Sequence, residues 1–215
     1  MEKIIFVRTA KYQYKQHGKS LYRSLDAIGL QTMQPHILRS SDDTQTRVSL
    51  LLAKYKPTQV FCSEFIRSRE TAKLFSNSVT VAPQLNEIKF SMDDFSTPQE
   101  LLDDGFDAKR INKIRYKFSC VLLNDSLREK HKSIVERITE FVSILRKIQP
   151  NTTVLCCSHG FIMKLYENFF RNEYKPYSFE NIVRGHDWRK PPFGFLDGFV
   201  VEFDDSEEKL VKPLH

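Results

Sequence analysis

Four apolar residues in a row, Ile4-Ile5-Phe6-Val7, run directly into Arg8. No polar residue alternates within the run, so it predicts a strand buried on both faces, as inside a parallel sheet covered by helices. An arginine immediately beyond such a strand stands at its carboxyl end, where open α/β sheets hold their ligands. Further runs of strand character follow at Gln59-Val60-Phe61-Cys62-Ser63, Val79 to Ala82, Thr153 to Cys157 and Phe199 to Phe203, and Leu210-Val211 is placed to pair with the last as a hairpin. Helical spacing falls between them. It predicts helices over Ser20 to Ile28 with Gly29 as stop, Asp42 to Tyr55 closed by Pro57, Ile66 to Phe75, Ser126 to Ile148 and Phe161 to Phe170. The clearest is Ser126 to Ile148, whose stripe of Ile134, Ile138, Phe141, Val142, Leu145 and Ile148 ends before Pro150. This alternation predicts an α/β three-layer sandwich, with a mostly parallel central sheet and helices on both faces.

The 215 residues fit a single domain, 1–215, interrupted by a cap-like insertion at about 88–130. That stretch holds the acidic pairs Asp93-Asp94 and Asp103-Asp104, then a basic run from Lys109 to Lys117 in which Ile111, Ile114 and Phe118 recur at helical spacing. It reads as an amphipathic helix, and in functional terms as a cap whose charges help to select a ligand. With 40% hydrophobic and 28% charged residues the chain can fill an ordinary core. No apolar run approaches membrane-spanning length, and the N-terminal run is too short for a leader, so no membrane partner and a cytoplasmic location are expected. The four cysteines show no C-x-x-C spacing and are expected as small buried residues. The histidines are scattered without ligand spacing, so neither a metal nor a cofactor is expected. The net charge of +6 favours an anionic partner, but no nucleic-acid-binding pattern is present. A phosphorylated small molecule or phosphoprotein explains the charge; nucleic acid is not expected.

Chemistry-bearing residues cluster at strand ends. Arg8 follows the first strand, Arg67 lies just beyond the second, Glu87 beyond the third, and His159 after Thr153 to Cys157. In a parallel sheet these ends share one edge. Two guanidiniums and an imidazole suit a phosphoryl group, because arginine offers paired donors and keeps its charge. A neighbouring glutamate suits protonation of a leaving oxygen.

The pattern resembles the histidine phosphatase superfamily, which has the phosphoglycerate mutase-like fold. The family's first motif is an apolar strand ending in Arg-His-Gly; here the strand ends in Arg8-Thr9-Ala10. Its Ser-x-x-x-Arg-small-x-x-Thr-Ala motif is matched closely by Ser63 to Ala72. Leu85-Asn86-Glu87 and Ser158-His159-Gly160 match two further motifs, and Leu38 to Thr46 keeps the leucine and glutamine of another while losing its glycine. The resemblance implies a phosphomonoester phosphatase in which Arg8, Arg67 and His159 hold the phosphoryl group and Glu87 is the general acid. It also implies that the nucleophile, a histidine in the family, is replaced by Thr9, which predicts slow turnover or none. Two other readings follow. One is a catalytically inactive pseudophosphatase acting as a protein-interaction or regulatory module, using the basic helix 109–118 and the segment 174–199 with Arg184, Trp188, Arg189, Lys190, Phe193 and Phe195. The other is an enzyme with a rearranged nucleophile, Thr9 itself or His17.

Overall fold

In the computed structural model the residues described are 2–12, 18–32, 34–38, 42–97, 99, 108–172, 192–203 and 209–214. His17 and Arg184, Trp188, Arg189 and Lys190 lie outside them. Six strands form one sheet: β1 (Lys3–Arg8), β2 (Gln59–Cys62), β3 (Thr80–Val81), β4 (Thr153–Ser158), β5 (Gly198–Phe203) and β6 (Lys209–Pro213), in the order β3-β2-β4-β1-β5-β6. β1, β2, β3 and β4 are mutually parallel, and β5 and β6 add an antiparallel edge. Register pairs Arg8 with Ser158 and Cys62 with Cys157, so the carboxyl ends of the three central parallel strands finish side by side. Gly198 is required where β5 meets β1: a Cβ there would lie 1.8 Å from the Phe6 carbonyl oxygen.

The strand residues alternate between two cores. Ile4, Phe6, Phe61, Val154, Cys156, Phe199 and Val201 face one side. Against them pack α1 (Gly18–Gly29), α4 (Ala108–Leu123), α5 (His131–Arg146) and α6 (Gly160–Arg171), through Tyr22, Phe118, Leu122, Ile134, Ile138, Phe141 and Tyr166 among others. Ile5, Val7, Val60, Cys62, Leu155, Cys157 and Val200 face the other side, covered by α2 (Asp42–Tyr55) and α3 (Ile66–Ala72) through Val48, Leu51 and Ala72. Helices thus cover both faces, as the uninterrupted apolar runs require. Cys62, Cys156 and Cys157 are free and buried, and Cys120 is half-buried.

Three boundaries differ from expectation. The helix expected from Ser126 begins at His131, because Asp125 takes φ 54° and its carboxylate accepts the His131 N–H at 2.7 Å, turning the chain between α4 and α5. α1 starts at Gly18 rather than Ser20, and α3 ends at Ala72, with Leu74 and Phe75 continuing as hydrogen-bonded turns. In the insertion, Ile88, Met92, Phe95, Phe118 and Leu122 are buried and Ile114 packs against them, so α4 lays its apolar side on the core; the side chain of Ile111 is not described.

Candidate active site

β1 delivers Arg8 and Thr9 to the sheet edge. The Thr9 N–H donates to the Ser158 carbonyl at 2.9 Å, and the Ala10 N–H donates to Thr71 Oγ1 at 3.0 Å, which ties the strand exit to α3. Arg8 Nη1 donates to the Phe193 carbonyl, and its guanidinium lies over the Phe195 ring, 4.5 Å from the centroid. The stem of Arg8 runs past the start of α6, where an added Cβ on Gly160 would be 3.6 Å from Nε.

The turn after β2 delivers Arg67. Its first free N–H groups are met by side chains: Ile66 N–H donates to Gln34 Oε1 at 2.9 Å and Ser63 N–H to Ser68 Oγ at 3.0 Å. The Arg67 guanidinium lies between two rings, 5.1 Å from the Tyr12 centroid and 4.7 Å from that of Phe65. Burial pulls its pKa below the ordinary arginine value, and the like charge of Arg8 adds to this, against the favourable influence of Tyr12 and Glu87.

His159 follows β4 as an extended residue capping α6. Its Nε2 is 2.8 Å from Ser63 Oγ, and its ring packs 4.8 Å from that of Phe65. Burial first, then the charges of Arg67, Arg8 and Arg137, push its pKa well below the usual imidazole range, so the ring is neutral. Glu87 lies across the start of α6. Its carboxylate accepts from the backbone N–H groups of Ile162 (2.9 Å), Ile88 (3.1 Å) and Phe161 (3.3 Å), two of them at a helix N-terminus that favours negative charge. Burial nevertheless raises the pKa of Glu87, outweighing those hydrogen bonds and the charge of Arg67.

The structure therefore gathers Arg8, Thr9, Arg67, Glu87 and His159 at one sheet edge. Thr9, Ser63, Arg67 and His159 are each at most 3% exposed. Thr9 Oγ1 and Arg67 Nε and Nη1 are buried with no hydrogen-bond partner among the described residues. No described carboxylate lies within ion-pair distance of Arg8 or Arg67. A buried donor set carrying two such charges is suited to an anion with several acceptor oxygens.

Sequence reasoning missed four contributors. Arg137, on the stripe-bearing helix α5, donates from Nη1 to the carbonyls of Gln84 and Asn86 at 2.9 and 2.6 Å, and pairs with Glu129 at 2.7 Å. It fixes the loop that carries Glu87, helped by Ser158 Oγ on the Leu85 carbonyl and Tyr166 on that of Gln84. Ser63 orients His159, and Tyr12 and Phe195 flank the arginines. Ser63 had a signal, its place at the head of the motif ending in Ala72, and Phe195 was singled out only as part of the segment 174–199. Phe193 is buried in the core, and the half-buried ring of Phe195 lies against Arg8.

Comparison with known proteins gives a consistent result. The chain matches the family model described as the histidine phosphatase superfamily (branch 1) over residues 34–178, a span that contains Arg67, Glu87 and His159. No curated protein matches. Among solved structures, it is similar to a histidine-to-alanine variant of a phosphoserine phosphatase from Entamoeba histolytica in complex with phosphoserine, at 17% identity and TM-score 0.61, covering 99% of this chain and 95% of that one. It is similar to a mycobacterial glucosyl-3-phosphoglycerate phosphatase complexed with VO3 (13% identity, TM-score 0.60, 99% and 98% covered). The alpha-ribazole phosphatase from Shigella flexneri is a third (15%, TM-score 0.58, 99% and 95%). These likenesses establish the phosphoglycerate mutase-like fold. Among the described residues no helix is long and apolar enough to cross a membrane.

Proposed function

The chain belongs to the histidine phosphatase superfamily (branch 1), and from that premise we propose that its site binds a phosphomonoester and hydrolyses it slowly or not at all. Arg8, Arg67 and His159 hold the phosphoryl oxygens, Glu87 is placed to protonate the leaving oxygen, and Thr9 occupies the nucleophile position. The ligand is a phosphorylated small molecule or phosphoprotein met in the cytoplasm. The observation that carries this reading is the set of buried, unpartnered donors on Arg67 and Thr9. A folded protein leaves such groups unpaired at a cost of roughly 1–3 kcal/mol each, and more for a charge, which a bound phosphoryl group offsets.

Several features favour binding over turnover. A threonine hydroxyl needs a base to attack phosphorus. His159 is neutral, but its Nε2 is engaged with Ser63, and no hydrogen bond joins it to Thr9 Oγ1. Burial raises the pKa of Glu87, the direction that suits a general acid, which supports that role for it. A similar solved structure, the histidine-to-alanine variant of a phosphoserine phosphatase, is a complex with phosphoserine, which supports reading this site as one that binds a phosphomonoester.

The test has two arms. Inorganic phosphate or vanadate should raise the melting temperature by several degrees at concentrations well above Kd, a stabilisation of roughly 2.7 kcal/mol at a hundred times Kd. Hydrolysis of p-nitrophenyl phosphate should be barely detectable with the natural chain and rise by about two orders of magnitude or more with Thr9→His. A folded protein indifferent to millimolar phosphate and vanadate overturns the proposal. High activity in the unaltered chain overturns the assignment of Thr9.

A further inference from the structure

Arg8 is held at both ends by one turn. Along the backbone, the Arg8 N–H donates to the Asp197 carbonyl at 2.8 Å, and the Arg8 carbonyl accepts from the Leu196 N–H at 3.1 Å. At the far end of the side chain, Nη1 donates to the Phe193 carbonyl and the guanidinium lies over the Phe195 ring. Both of these side-chain contacts are with uncharged groups. Residues 193–197 therefore decide where the Arg8 charge sits. A carboxylate fastens that turn. The Asp197 N–H donates to the Gly194 carbonyl at 3.3 Å. In return the Asp197 side chain accepts from the Gly194 N–H at 3.3 Å through Oδ2 and from the Gly198 N–H at 2.7 Å through Oδ1. One side chain thus ties the opening of the turn to the first residue of β5. Between them Leu196 is buried with φ 54°, in the left-handed region that a bulky side chain keeps only where its surroundings impose it. Strain of this kind gathers at ligand-binding positions.

On the reading that Arg8 holds phosphoryl oxygens, we propose that Asp197 is a positioning residue for the bound anion. Its carboxylate shapes the 193–197 turn, the turn places the Arg8 guanidinium, and phosphate affinity depends on Asp197 through Arg8. Asp197 does this without touching the anion, which a carboxylate would repel. Two charge-assisted hydrogen bonds from backbone N–H groups are strong enough to hold a short turn in one geometry. Gly194 gives that turn the freedom to open once the carboxylate is gone. A guanidinium already in place binds more tightly than one that must be ordered when the anion arrives, because the ordering cost has been met in the empty protein.

The test compares the natural chain with Asp197→Ala and Asp197→Asn in two measurements. Titration calorimetry with inorganic phosphate reads affinity. NMR of the arginine side-chain Nε–H groups in phosphate-free buffer reads the position of each guanidinium. Asp197→Ala should weaken phosphate binding about tenfold, and Asp197→Asn, which keeps an acceptor oxygen for the Gly198 N–H, about threefold. The Arg8 signal, identified by its loss in Arg8→Met, should shift or broaden in Asp197→Ala and do so less in Asp197→Asn. The Arg67 signal, identified through Arg67→Met, should stay where it is. A carboxylate that only supports the fold would leave both signals in place or move both together. A folded Asp197→Ala chain that binds phosphate within about twofold of the natural chain, or whose Arg8 signal does not move, overturns the proposal while the phosphate site stands. If the natural chain does not bind inorganic phosphate at all, the functional reading fails and this inference fails with it. Should Asp197→Ala not fold, Asp197→Asn decides by the same two readouts.

Discussion

The carboxylate of Glu87 and the guanidinium of Arg67 share one site and are satisfied in opposite ways. Glu87 takes three backbone N–H groups, and its loop is pinned by Arg137, Ser158 and Tyr166. Arg67 and Thr9, on the other side, leave buried donors unpartnered. Burial with partners is what a framework needs, because each polar group recovers the hydrogen bonds it lost from water. Burial without partners weakens the empty protein and is kept where a ligand supplies the missing acceptors. The two halves should therefore respond to mutation with opposite signs.

The largest effect is expected at Arg67. Arg67→Met should weaken phosphate binding by about a thousandfold, since two charge-assisted hydrogen bonds disappear. In phosphate-free buffer the same variant should melt no lower than the natural chain, because a buried, unpaired cation has become an apolar side chain of similar length. Calorimetry and thermal melts read the two quantities. A large fall in stability would erase the contrast between the halves.

Arg137→Met is the mirror experiment. It leaves the carbonyls of Gln84 and Asn86 and the Glu129 carboxylate without their donor, and a loss of roughly 3 kcal/mol in urea denaturation is expected. Phosphate affinity of the folded variant should stay within about threefold, as Arg137 stabilises the loop and not the anion.

How far the sequence exposed this division depends on the residue. Asp42 to Tyr55 is helical over those bounds, because a stripe of Val48, Leu51, Leu52 and Tyr55 ends two residues before a proline. The strand ends and the four groups they deliver were legible for the same reason: buried parallel strands read as unbroken apolar runs. Arg137 was not. It lies between Ile138 and Glu136 on an amphipathic helix, where an arginine ordinarily faces solvent, and only the fold brings residues 84 to 86 within its reach. Tyr12 and Phe195 were equally hidden, since their meeting spans most of the chain.

Titration separates the two sides by pH. The depressed pKa of His159 means that the folded protein binds fewer protons there than the unfolded chain. Its contribution is full above the ordinary imidazole value near pH 6.5 and lost as pH falls below it. Glu87 has the reverse sign: its raised pKa contributes stability that is complete at low pH and lost as pH rises from the usual carboxylate range through the folded value. Melting curves of the natural chain minus those of His159→Gln should thus fall toward acid pH, and those minus Glu87→Gln should fall as pH rises. Phosphate binding should draw a proton onto His159, detected as buffer-dependent binding enthalpy below neutral pH and lost in His159→Gln.

The smallest effect gives the cleanest contrast, because it compares two buried hydroxyls in one pocket. Ser63 Oγ is paired with His159 and also accepts the Phe65 N–H at 3.3 Å. Thr9 Oγ1 is paired with nothing among the described residues. Thr9→Val keeps the shape and removes only an unsatisfied hydroxyl, so the empty protein should gain about 1 kcal/mol; Ser63→Ala strands the imidazole and should lose about as much. Saturating phosphate should reverse the first result, because a hydroxyl that donates to the bound anion is then worth keeping. Urea denaturation of both variants, with and without phosphate, reads all four values. A Thr9→Val protein that is destabilised in the absence of phosphate would place Thr9 with the framework and move the boundary between the two halves to Arg67 alone.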